Sequence, residues 1–195
     1  MALHHLPEFI LTNYEVHEWR HASAVLENDF PEQWNEIIRV LTNFRLFRSN
    51  IAVGGGNKSA VANSIDHEFS KFGWVEKAFD VSVIVDENEY DSPTHKVDCY
   101  KDRVALEIEW NNKDPFFDRD LNNFRLLFEL RAISVGIIIT RCDELQLVFD
   151  QLGRGSSYGQ STTHMSKLLP RLEGGSGGGC PVMVFGISRQ LFVED

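Results

Sequence analysis

KVDCYKDRVALEIEW, residues 96–110, sets three acids, Asp98, Glu107 and Glu109, inside what otherwise reads as two strands of a sheet. Side chains alternate along a strand, so Val104, Leu106, Ile108 and Trp110 take one face while Ala105, Glu107 and Glu109 take the other. If VDCYK and VALEI pair through a two-residue turn at Asp102 and Arg103, residue 100 lies opposite 105 and residue 98 opposite 107. Directly opposed residues share a face, which brings the three acids together with the Cβ atoms of the opposed pair about 5 Å apart. Like charges that close disfavour folding unless a bound cation, a proton or a nearby base relieves them. Three oxygen ligands with room for water suit a hard divalent ion, Mg²⁺ above all, with a substrate phosphate completing its shell. The same spacing also fits a solvated acidic face on an exposed strand, and a register slip of one residue would separate the acids.

Outward from the hairpin the periods change. FPEQWNEIIRVLTNFR, 30–45, carries Trp34, Ile37, Ile38, Leu41 and Phe44 at helical spacing, and after the glycine-rich 53–59 the run SAVANSIDHEFSKFGW repeats it with Ala62, Ile65, Phe69 and Phe72. Ser59 is placed to cap that second helix and Gly73 to end it. KAFDVSVIVDENEY, 77–90, is β-rich, and DENEYDSPTH reads as a polar loop. Beyond the hairpin, Phe117, Leu121, Phe124, Leu127 and Phe128 line a helical stripe, ISVGIIIT (133–140) is apolar on both faces as a central strand must be, and Leu145, Val148, Phe149 and Leu152 form another helix ending at Gly153. A short helix around HMSKLLPRLE, an internal loop at GGSGGG (174–179) and a last strand CPVMVFGI complete a mixed α/β order.

With 195 residues, 43% hydrophobic and 11% aromatic, the chain suits one well-cored domain. Cys99, Cys142 and Cys180 lack zinc spacing and predict reduced thiols; without a leader-like start or a bilayer-length apolar run, a soluble cytoplasmic protein with no membrane association is expected. A net charge of −10 argues against binding nucleic acid by bulk charge, though Arg141, Arg154, Lys167, Arg171 and Arg189 leave a basic groove possible at the C-terminal end. The polar, glycine-rich GRGSSYGQSTTH, 153–164, presents Arg154, Ser156, Ser157, Tyr158, Gln160, Ser161, Thr162 and Thr163, side chains of the kind that read base edges, or else a loop that only connects elements. The glycine runs lack the spacing of a phosphate loop, and His95 and His164, with no placed Ser or Cys nucleophile, read as surface or core histidines.

Asp98, a short gap and then Glu107-Ile108-Glu109, in a helix-strand-strand-strand-helix-strand order, resembles the core of the PD-(D/E)xK nucleases. The longer VDCYKDRVALEIEWNNKDPFFDRDL followed by VGIIIT is similar more particularly to type II restriction endonucleases of the BglII, BstYI and BamHI group, well over residues 60–141 and poorly on the flanks. The resemblance implies a restriction-endonuclease-like α/β core, a mixed central sheet flanked by helices on both faces. It divides the single domain into an N-terminal helical part (1–58), a catalytic core (59–141) and a recognition loop with the final strand (142–195). It also implies a homodimer that hydrolyses double-stranded DNA at a short palindromic site with Mg²⁺, beside a cognate DNA methyltransferase that protects the host.

On this resemblance Asp98 and Glu107 are metal ligands. Glu109 stands where most of the superfamily has lysine, a departure that resembles BamHI and leaves open whether it is a ligand or a general base. Glu68, on the preceding helix, is a candidate fourth acid and metal ligand. Lys113 is a candidate for the missing positive charge or a DNA contact. Two other functions share the fold: a nuclease of repair or of modified DNA, and a catalytically silent DNA-binding module.

Overall fold

The hairpin forms as its alternation requires. In the computed structural model, which describes residue 3 and residues 5–52, 59–91 and 94–195, Asp102 and Arg103 have positive φ, 44° and 71°. This is the backbone of a tight two-residue turn whose twist matches the flanking strands. Gln33 donates to Asp102 Oδ2 at 2.9 Å and braces the turn. Cys99 pairs with Leu106, Tyr100 with Ala105 and Lys101 with Val104, the expected register.

Among the described residues the strands are β1 (Tyr14–Trp19), β2 (Leu46–Phe47), β3 (Val75–Lys77), β4 (Ser82–Val85), β5 (Asn88–Asp91), β6 (Val97–Lys101), β7 (Val104–Ile108), β8 (Val135–Arg141), β9 (Val182–Ile187) and β10 (Phe192–Val193). The helices are α1 (Glu8–Asn13), α2 (Ala22–Asp29), α3 (Pro31–Asn43), α4 (Arg48–Ala52), α5 (Ala60–Ser70), α6 (Pro115–Glu129), α7 (Leu145–Gln151) and α8 (Met165–Glu173). Six strands form one mixed sheet in the order β1-β9-β8-β7-β6-β3. Its centre, β7 to β9, is parallel, and β1, β6 and β3 run antiparallel to their neighbours.

Helices cover both faces. Leu106, Ile108, Ile137 and Ile139 pack with Ile37, Leu41, Ile65 and Phe69 of α3 and α5 on one side. Ala105, Ile138 and Val184 meet Phe117, Leu121 and Phe124 of α6 and Leu168 of α8 on the other. Two small residues let α6 lie close to the sheet: Ala105 on β7 and Gly136 on β8, where an added Cβ would sit 2.6 Å from Cε2 of Phe124. Ser59 caps α5, accepting the Ala62 amide at 3.0 Å, and Gly73 follows with φ 83°.

Two local expectations are corrected. The N-terminal part is not only helical, because YEVHEW forms β1 and pairs along its length with β9; its alternation breaks between Val16 and Trp19, which hid the strand. DENEYDSPTH is not all loop. Asn88–Asp91 forms β5 and pairs with β4 around a turn at Asp86 and Glu87. Every residue of that hairpin's strands is exposed, so no core face patterned the sequence. The glycine run at 54–56 lies outside the described residues, and among the described residues no helix is long and apolar enough to cross a membrane.

Candidate active site

The α6 face of β6 and β7 carries the acids. Glu107 Oε2 accepts the Asp98 amide at 3.3 Å while Asp98 Oδ2 accepts the Ile108 amide at 2.9 Å, a reciprocal pair that fixes both carboxylates on one side. The Glu109 amide extends the ladder by donating to Ile139 O at 2.8 Å, so its side chain follows Glu107 on the same face. Glu107 and Glu109 are each 1% exposed, which rules out a solvated acidic face.

Helix α6 adds what the strands lack. Its apolar stripe includes Asp120, fully buried at 0% exposure, and Asn123 one turn on. Asp120 and Glu109 lie close enough to act on each other's protonation. Arg119 donates to Asp120 Oδ1 at 2.8 Å and reaches Glu109 Oε1 at 3.5 Å. Asn112 donates to the other Glu109 oxygen at 2.8 Å. Asn123 donates to the main-chain carbonyl of His95 at 3.0 Å, and donor atoms of His95, Glu107 and Asp120 lie within 4.8 Å of one another. A cleft of about 230 Å³ opens over this group, lined among others by Ser59, Glu76, His95, Asp98, Glu109 and Arg119.

So many buried acids favour protons. Burial, then the charges of Asp120 and Asp98, hold Glu107 well above the usual carboxylate range. Burial and Asp120 push Glu109 up to about 9, and burial raises Asp120. His95 is held below its ordinary value by burial and by Arg119. Glu107 Oε1 and Asp120 Oδ2 are buried with no hydrogen-bond partner among the described residues. Orphaned carboxylate oxygens facing like charges are the donor set a hard divalent cation completes.

Other expected residues are placed differently. Glu68 does not join the acids: it pairs with Lys71 and lines a separate cleft with Asn43, Arg45 and Ser64, because its position on α5 turns it away from the face that carries Ser59 and Ala62. Lys113 is exposed and bridges Thr162 through its backbone. The cation at the acids is Arg119 instead.

The loop after α7 lies beside the site, since Thr163 N donates to Asn112 O at 2.8 Å and Asp114 N to Ser161 O at 3.1 Å. Ser156, Ser157, Gln160 and Ser161 are exposed, and Arg154 is half-buried. Tyr158 is not presented to solvent; its ring stacks on Phe149 at 4.0 Å and meets Trp110 edge-on. Thr163 is buried, and Thr162 Oγ1 accepts from Arg141 at 3.0 Å. Arg141 itself is 1% exposed and also donates to Tyr158 O, so it shapes the loop from within. Lys167, Arg171 and Arg189 are paired with Asp114, Asp118 and Glu144.

Asp120, Arg119, Asn112 and His95 are the residues that strand alternation could not reveal. Asp120 did leave a signal. An acid flanked by Phe117, Leu121 and Phe124 at helical spacing sits inside a buried stripe.

No curated protein sequence matches the chain. The family described as restriction endonuclease BglII/BglIII matches residues 14–187, a span that holds the whole sheet core and every acid above. The chain therefore belongs to the BglII/BglIII restriction endonuclease family, and is a type II site-specific deoxyribonuclease that binds and hydrolyses double-stranded DNA.

Proposed function

We propose that the enzyme cuts at a short palindromic sequence, as a homodimer with Mg²⁺, using Asp98 and Glu107 as ligands and Glu109 on the attacking water. The observation that carries this is the meeting of Asp98, Glu107 and Glu109 on one face of the sheet, two of them 1% exposed and one with an orphan oxygen. When bound, the ion supplies Lewis acidity toward a phosphoryl oxygen and acidifies a water. Glu109 orients that water for in-line attack and takes its proton; Asn112 holds the carboxylate in place. Arg119, beside Glu109, offers positive charge to the phosphate in the role the superfamily gives to lysine.

Recognition falls to the loop that runs along Asn112. Ser156, Ser157, Gln160 and Ser161 present exposed polar side chains, with Arg154 and Lys113 as flanking cations. Thr162, Thr163 and Tyr158 hold the loop's shape. Two copies related by a two-fold axis would read two half-sites of a palindrome. A methyltransferase of the same specificity would protect host DNA in the same cytoplasm.

The test compares the purified enzyme and its Glu107→Ala variant on unmethylated phage DNA, with Mg²⁺ and with chelator. Discrete fragments from wild type with Mg²⁺ alone are expected, and sequencing their ends gives the site. Cutting that survives in the variant removes Glu107 from the chemistry, and wild-type cutting in chelator removes the metal. A light-scattering mass of the DNA complex equal to the duplex plus one chain of 22.3 kDa would end the homodimer.

A further inference from the structure

Glu107, proposed to hold Mg²⁺, also lies against two donors that the reaction above does not use. His95, in the segment leading into β6, turns its imidazole toward Glu107 of β7 and Asp120 of α6, with one donor atom from each within 4.8 Å of the others. Asp98 and Glu109 are not members of that trio. Two of its three members are sealed: Glu107 is 1% and Asp120 0% exposed. Each has one carboxylate oxygen, Glu107 Oε1 and Asp120 Oδ2, buried without a hydrogen-bond partner among the described residues. An orphan oxygen at such depth is costly, more so on a charged group, so one on each of two neighbouring side chains marks a place built for a missing partner. Helix α6 fixes the trio's geometry, since Asn123, one turn beyond Asp120, donates to the His95 carbonyl at 3.0 Å. Beside it stands Arg119, whose guanidinium serves Asp120 Oδ1 and leaves Oδ2 unused.

Three ligands spread evenly around one ion with bonds of about 2.1 Å stand about 3.6 Å apart, so donor atoms up to 4.8 Å apart close by about 1 Å as the ion enters. One nitrogen and two carboxylate oxygens distinguish it from the all-oxygen set at Asp98. Imidazole suits the borderline transition ions, while carboxylate and water alone suit Mg²⁺. We infer that His95, Glu107 and Asp120 form a second cation site, selective for Mn²⁺ and similar transition ions over Mg²⁺, which shares Glu107 with the catalytic ion. This rests on the proposal that Asp98 and Glu107 hold that ion. Glu107 would use its two oxygens for two ions, and loading of the inner site would set the position of Glu107 for the outer one.

The experiment uses the full chain with Mn²⁺ as the probe, read by electron paramagnetic resonance, where an imidazole ligand gives nitrogen modulation of the Mn²⁺ signal. Wild type is expected to keep a nitrogen-modulated Mn²⁺ in a large excess of Mg²⁺. His95→Ala is expected to lose the modulation and at least tenfold in affinity for that ion, since even outer-shell partners of a ligand are worth 10–100-fold. Asp120→Asn, checked for folding by circular dichroism, should weaken the same ion. Asp98→Asn should leave the modulation in place while abolishing Mg²⁺-dependent cutting. No nitrogen modulation in wild type, or modulation that survives His95→Ala, overturns the second site. Asp98→Asn that still cuts with Mg²⁺ overturns the catalytic assignment instead, so the two failures are told apart.

Discussion

A carboxylate buried among carboxylates makes folding depend on pH in a direction opposite to the usual salt-bridged acid. Glu109 is pushed up to about 9 in the folded chain, while in the unfolded chain it titrates near its ordinary value of 4.5. Between those values the folded state holds more protons than the unfolded one, so stability falls as pH rises through that window and levels off above it. In chelator the melting temperature should decline from pH 5.5 to pH 8.5, and Glu109→Gln should flatten the decline. Mg²⁺ should raise melting more at pH 8.5 than at pH 5.5, because its ligands must shed their protons to bind. A wild-type profile that is flat, or a variant profile as steep as wild type, would place the strain elsewhere. The three acids of the hairpin were legible from period-two alternation because the two-residue turn fixes the register and both faces of β7 are buried. Asp120 and His95 were not: their meeting with Glu107 spans three elements, and alternation describes only one element at a time.

Helix α6 reaches the acids because β8 has no side chain at Gly136. A methyl there would press into the ring of Phe124, and overpacking of this kind costs about 1–3 kcal/mol. Gly136→Ala should therefore lower stability by that amount in a denaturant titration and lift Asp120 from Glu109, reducing cutting as well; adding Phe124→Leu should restore much of both. If Gly136→Ala melts and cuts like wild type, α6 is not held as closely as the site requires.

The loop of 154–163 is anchored from beneath by Arg141, which donates to Tyr158 O and Thr162 Oγ1 and, among the described residues, forms no ion pair. Burial lowers the guanidinium to about 10, yet it stays charged at neutral pH. Arg141→Leu leaves those acceptors unpaired and should expose the loop to limited proteolysis and blur sequence preference; an uncut loop with unaltered preference would remove Arg141 from recognition. The long amphipathic helices and β8 were plain in the sequence because burial patterned them. The pairing partner β5 in the exposed hairpin and the edge strand β1 were not, since pairing there is made by backbone, which leaves little trace in side-chain pattern.

A chain with net charge −10 must bind a polyanion against its own field. Its cations do little to reverse this at long range, because many are matched to surface acids: Arg171 with Asp118, Lys101 with Glu32 and Glu36, Lys96 with Glu76, Arg189 with Glu144. On the proposed function attraction is then local, from cations seated at the buried acids and from hydrogen bonds made by the loop. Binding of a duplex carrying the cleavage site should accordingly be weak in chelator and rise at least tenfold with Ca²⁺, a hard cation suited to the same oxygens. Glu107→Ala, which removes one of the buried acids and the reason for the ion, should bind more tightly than wild type in chelator and respond little to Ca²⁺. The salt dependence should be shallow for a DNA enzyme. A slope of log K against log salt of about −8 or steeper corresponds to roughly nine neutralised phosphates, and would mean that the surface pairs open onto DNA and that a basic face forms only in the complex.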